Sequence, residues 1–123
     1  MANDLTNIKL SGRATEIADT IYQKGYFDDR VTIAKLGLAF AVSRYYKKFD
    51  LEEYDKHLDM SGLNYNVGSL DGDKSISEMI SILYPETQTP YRYARAIMCF
   101  GLEKLGELND RGELYPIYEL LQG

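Results

Sequence analysis

Apolar residues recur every three or four positions over most of this chain, a period that predicts helices. The exception comes first. From Leu5 to Ser11, Ile8 and Leu10 alternate with Asn7, Lys9 and Ser11, which predicts a short extended segment. Ser11 can then cap a helix over about Gly12–Lys24, with Ala14, Ile17, Ala18 and Ile21 on one face and Gly25 as its left-handed end. Asp28 or Asp29 opens a second helix, about Arg30 to Lys47. Its run from Val31 to Val42 leaves hardly any polar face before Ser43. A helix this apolar is the centre of a core or half of an oligomer interface. So small a chain has few other elements to cover it, so part of it is expected to meet another subunit.

Asp50 with Glu53 forms a capping-box-like start for a short helix from Leu51 to about Leu58. Met60 to Lys74, rich in Gly, Asn, Ser and Asp, reads as a structured loop. Ser75 with Glu78 gives a second capping box, for a helix carrying Met79, Ile80 and Leu83 that Pro85 stops. Thr89-Pro90 opens a long helix to about Leu108, the hydroxyl capping and the proline sitting in the first turn, where its missing N–H does no harm. Ala94, Ile97, Met98, Gly101, Leu102 and Leu105 form its apolar face, and Asn109 to Gly112 end it. A last short helix is expected over Pro116–Leu121. The fold class is therefore mainly α: a single domain over 1–123, of about five to six helices, with at most one short N-terminal strand. Residues 1–49 form a strand-helix-helix half, 50–74 a short helix and loop, and 75–123 a helical second half.

At 123 residues the chain suits one domain with one core. No stretch approaches the roughly 20 apolar residues of a membrane helix, and the opening MANDLTNIKL has neither the basic start nor the apolar run of a signal peptide. The single Cys99 cannot make an internal disulfide, which fits a reducing, cytoplasmic setting. The net charge of −5 is uneven: residues 1–50 carry +2 and residues 51–123 carry −7. An acidic protein repels a polyanion at long range. Binding to DNA therefore requires a local basic face, or several such faces pooled by oligomerisation.

Little points to catalysis. One histidine, His57, and one cysteine allow neither a multi-histidine nor a cysteine-rich metal site, and no cofactor is expected. Asp71-Gly72-Asp73-Lys74-Ser75 starts like a calcium loop, but Ile76 and Ile82 stand where glycine and glutamate belong, so a turn and helix cap explain it better. Cys99, on an apolar helix without a histidine nearby, reads as buried. Phosphate-loop, dinucleotide and nucleophile-elbow patterns do not occur.

Two basic-aromatic clusters remain. Arg44-Tyr45-Tyr46-Lys47-Lys48 ends the second helix, where the helix dipole alone favours cations. Tyr91-Arg92-Tyr93-Ala94-Arg95 opens the long helix, where the dipole disfavours them. Arg92 and Arg95, three apart beside free N–H groups, describe a corner for an anion such as DNA phosphate. The alternative is pairing with Glu86 or another carboxylate of the acidic half.

The order of elements resembles a known family. Ile8-Lys9-Leu10-Ser11, Gly25, the Ala34–Phe40 run, Gly62-Leu63-Asn64, Ile82-Leu83-Tyr84-Pro85 and Gly101-Leu102-Glu103-Lys104-Leu105 are similar to DndE, the small E component of bacterial DNA phosphorothioation (sulfur modification). The resemblance spans roughly residues 5–108. The family tends to have Thr-Pro-Asn where this chain has Tyr26-Phe27-Asp28-Asp29, and an arginine at Lys35. The resemblance implies a small helical protein, ribbon-helix-helix-like in its first half, without catalysis of its own. It also implies a homotetramer that associates with other sulfur-modification proteins and with DNA.

The expected function is a non-catalytic, DNA-associated subunit touching phosphates through Lys9, Arg13, Arg44, Lys47, Lys48, Arg92 and Arg95. The alternative is an oligomeric protein–protein scaffold, driven by the apolar helix and docking a basic partner on the acidic half.

Overall fold

Ser11 caps the first helix as its position predicts: its hydroxyl accepts from the Ala14 N–H at 3.1 Å. In the computed structural model, which describes residues 4–25, 27–45, 50–59 and 61–112, strand β1 (Asn7–Lys9) leads directly into helix α1 (Gly12–Gln23). Ala14, Ala18 and Ile21 on α1 are fully buried, and Gly25 follows in the left-handed region at φ 82°. Asp29 opens α2 (Arg30–Tyr45) by accepting from the Thr32 N–H at 2.8 Å. Asp50 does the same for α3 (Leu51–Lys56), accepting from the Glu53 N–H at 3.1 Å. Lys47, Lys48 and the helix expected over Pro116–Leu121 lie outside the described residues.

The segment read as a loop departs from expectation. Asn64–Asn66 is a second strand, β2, antiparallel to β1, and Val67–Leu70 is a helical turn, α4. Helix α5 (Ser75–Leu83) follows, and α6 (Pro90–Asp110) closes the described chain. A three-residue strand needs a partner for its backbone groups, and none was assigned because 64–66 is too short and too polar to signal one. The fold class stands: mainly helical, with one short two-stranded antiparallel sheet.

Two caps also differ. Neither Ser75 nor Thr89 caps its helix with a side chain. The buried Asp71 accepts from the Ile76 and Ser77 N–H groups at 2.8 and 3.0 Å, and Asp73 accepts from the Ser75 N–H at 3.0 Å. The calcium-like run is thus a turn and helix cap, as expected. At α6, Asp4 takes the place assigned to Thr89, a carboxylate reaching across from the chain start.

The core lies where α2 crosses α6, the most extensive contact between elements. Ile97, Met98, Leu102 and Leu105 of α6 are at most 2% exposed, each burial contributing roughly 1.5–3 kcal/mol. The helices come close because Gly37 faces Gly101: a Cβ on Gly101 would stand 1.7 Å from the Gly37 carbonyl oxygen. On α2 the buried stripe is Ile33, Ala34, Gly37, Leu38 and Ala41. Val31, Leu36, Phe40 and Val42 are half-buried shoulders, and Thr32, Lys35, Ala39, Ser43 and Arg44 face solvent. Against this helical body the ribbon is a small element, since two strands alone are marginally stable.

Candidate nucleic-acid interface

The ribbon has an inside and an outside because side chains alternate across a strand. Register sets Asn7 opposite Asn66, Ile8 opposite Tyr65 and Lys9 opposite Asn64. Ile8 is fully buried, while Asn7, Lys9, Asn64 and Asn66 are exposed. The bonds at the ribbon's ends join Leu10 N–H to the Leu63 carbonyl (2.8 Å) and Val67 N–H to the Thr6 carbonyl (3.1 Å). They fall on even-numbered residues of the first strand. Asn7–Asn66 and Lys9–Asn64 are therefore the non-hydrogen-bonded pairs, where facing side chains stand closest.

Against the backbone of β1 lies Arg95, and here the sequence expectation is corrected. Its side chain is 5% exposed and cannot meet a phosphate. The guanidinium donates to the carbonyls of Lys9 (2.7 Å) and Asp59 (2.6 Å) and meets the Asp55 carboxylate at 3.4 Å. The alternative of a carboxylate in the acidic half is the one realised. Helical spacing put Arg92 and Arg95 on neighbouring positions, but α6 is half sunk in the core, so Arg92 faces solvent and Arg95 does not.

The anion corner at the start of α6 is formed and already filled by Asp4. Its carboxylate accepts from the Tyr91 N–H at 2.9 Å and the Arg92 N–H at 3.1 Å. The Tyr91 hydroxyl donates to Asp71 at 2.8 Å. Burial, with that bond second, pushes the Tyr91 phenol up to about 12.

The remaining predicted cations are spread over the body. Arg13, 65% exposed, meets Glu103 at 3.5 Å. Arg44 lies over the Phe40 ring at 5.5 Å. Lys104, which sequence reasoning passed over, sits over Phe100 and Tyr45 at 5.3 and 5.6 Å. It shares a hollow of about 220 Å³ with Arg13, Tyr54, Glu103 and Glu107. Burial raises the Glu103 carboxyl above its ordinary value. The structure thus joins Arg95 to the Lys9 carbonyl, leaves Arg92 exposed at the start of α6, and sets Arg13 beside Lys104. It gathers no single basic face among the described residues. Asn7, Asn64 and Asn66, which sequence reasoning did not single out, share the ribbon's exposed face with Lys9; the period-two alternation around Ile8 signalled only the first of them.

Cys99 is buried as expected, its sulfur accepting from the Ser11 N–H at 3.5 Å, and burial raises its thiol pKa. His57 is exposed at the end of α3, 3.1 Å from Glu53. Among the described residues, no group of three or more His, Cys, Asp or Glu is placed to hold a metal ion. No described helix is long and apolar enough to cross a membrane. No protein-family model, curated protein or solved structure matches the chain.

Proposed function

We propose that this chain is a non-catalytic, DNA-associated subunit of a DNA sulfur-modification or related defence complex, the role its resemblance to DndE implies. In this reading it works in the cytoplasm as a homo-oligomer, a tetramer by resemblance, alongside other modification proteins. Phosphates are touched by Lys9, Arg13, Arg44 and Arg92 and, from the sequence alone, by Lys47 and Lys48. Arg95 has no part in it. The observation that carries the reading is the ribbon: a two-stranded element whose outward side chains are all polar, one of them a lysine, packed on the helical body through the buried Ile8. An element of that width suits a nucleic-acid groove. Oligomerisation multiplies the few cations of each copy, which an acidic chain requires.

The test is a salt-titrated shift with intact and nicked duplex. Log affinity should fall with log salt at roughly −0.9 per phosphate contact, and Lys47→Glu with Lys48→Glu should abolish binding. No measurable affinity for either duplex at low salt defeats the reading.

One observation favours the scaffold alternative. Ile82 on α5 is 78% exposed, the exposed large hydrophobic residue among those described, beside a hollow lined by Leu83, Tyr84, Pro85 and Tyr93. A protein contact there would survive the Lys47/Lys48 double variant.

A further inference from the structure

Resting on the homo-oligomer of that reading, we propose that copies of this chain meet across a two-fold axis at the α5–α6 turn, where Ile82 of each copy enters the hollow beside Tyr84 and Tyr93 of the other.

The sequence nominates α2 as the meeting face, and packing removes it. The α2 residues that face solvent are Thr32, Lys35, Ala39, Ser43 and Arg44, with no large apolar side chain among them. On α5, Ile76, Met79, Ile80 and Leu83 follow the three- and four-residue spacing of a core-facing stripe, and Ile76 and Ile80 are buried. Ile82 falls off that stripe, beside the exposed Ser81, and stands 78% exposed.

One exposed isoleucine is ordinary by itself. Here it is the chain neighbour of Leu83, which with Tyr84, Pro85, Glu86, Thr87 and Tyr93 lines a hollow of about 310 Å³. A projection and a hollow on one patch are what an isologous contact requires. A two-fold axis passing between them seats each copy's projection in the other's hollow. A foreign partner needs only one of the two.

Charge gives the same answer. Glu86 lines the hollow, and the exposed Arg92 precedes Tyr93 of its wall. Among the described residues, neither belongs to an ion pair. The same axis brings Glu86 of one copy to Arg92 of the other, a polar rim of opposite charges around an apolar centre.

The patch is held before contact. The Tyr84 N–H donates to the Ile80 carbonyl at 2.8 Å and the Thr87 N–H to the Tyr84 carbonyl at 3.0 Å. The Tyr84 and Tyr93 rings meet edge to face at 5.1 Å. A preformed surface loses little freedom on association.

The experiment is sedimentation velocity and native mass spectrometry on the full chain across a range of concentrations. Ile82→Asp should halve the assembly, tetramer to dimer or dimer to single chain, or weaken it by about tenfold or more, as loss of a central anchor does. Circular dichroism and melting temperature should stay unchanged. Glu86→Arg alone and Arg92→Glu alone should each weaken the assembly, and the two together in one chain should restore it. An assembly that Ile82→Asp leaves intact, or charge reversals that change nothing or fail to compensate, overturn this interface while the homo-oligomer stands. A wild-type chain that stays single at every concentration overturns both.

Discussion

The Arg95 guanidinium donates to the backbone carbonyl of Lys9 at 2.7 Å, from an α6 position only 5% exposed. Two residues with the same apparent role in the sequence thus divide it: Lys9 shows its side chain to solvent, and Arg95 supports the strand that carries it. Arg95→Met should destabilise the fold by roughly 3–5 kcal/mol, because Asp55 and two carbonyls lose their partner. Arg95→Lys should not restore it, since an ammonium lacks the planar fork that meets three oxygens at once. Asp55→Asn should cost less, that carboxylate being 23% exposed. Urea midpoints of the three variants check the order.

Asp4 ties the chain start to α6. Replacing it with alanine frees the Tyr91 and Arg92 N–H groups and should cost about 1 kcal/mol, as for other lost helix caps. Thermal melting reads the loss, and hydrogen exchange should speed up first at the opening turn of α6.

The Gly37–Gly101 crossing sets the distance between α2 and α6. Gly101→Ala brings a Cβ against the Gly37 carbonyl, so the helices must separate. Overpacking of this kind costs about 1–3 kcal/mol and more when backbone is struck. Gly37→Ala, whose Cβ meets Leu102 at 3.0 Å or more, should be milder. Calorimetry on both variants tests the ranking.

Acid should weaken the fold through its capping carboxylates. Asp59 is held below its ordinary 3.8 chiefly by the Ser61 hydroxyl and then the Gly12 N–H; Asp29 by Thr32 and Asp73 by Ser75. A lowered carboxylate contributes stability that is full above the unfolded value and lost as pH falls through the folded one. The decline therefore begins near 3.8 and continues below it. Asp59→Asn should be less stable at neutral pH and show a shallower acid decline, measured as urea midpoint against pH.

Cys99 should be silent to a thiol reagent in the folded chain. The side chain is fully buried and its thiol pKa raised, which leaves little accessible thiolate. Labelling should follow the rate of opening and become rapid only in denaturant; prompt labelling in native buffer contradicts the burial.

Local chemistry decided by itself what depends on neighbours in the chain. The caps at Ser11, Asp29 and Asp50, the turn at Gly25, the stop at Pro85 and the apolar face of α6 follow from spacing and side-chain type within a few residues. What lay beyond the sequence involves partners far apart in it. Strand β2 exists because β1 lies against it 57 residues earlier in the chain, a separation read from the Ile8–Tyr65 register. Asp4 caps a helix that begins at Pro90, and Arg95 is buried against β1, α3 and the Asp59 backbone. On α2, composition announced an apolar span, but only packing against α6 separated its buried stripe from Thr32, Lys35, Ala39, Ser43 and Arg44, left in water. A helix period states which residues share a side; which side meets solvent is settled by the other elements competing to cover it.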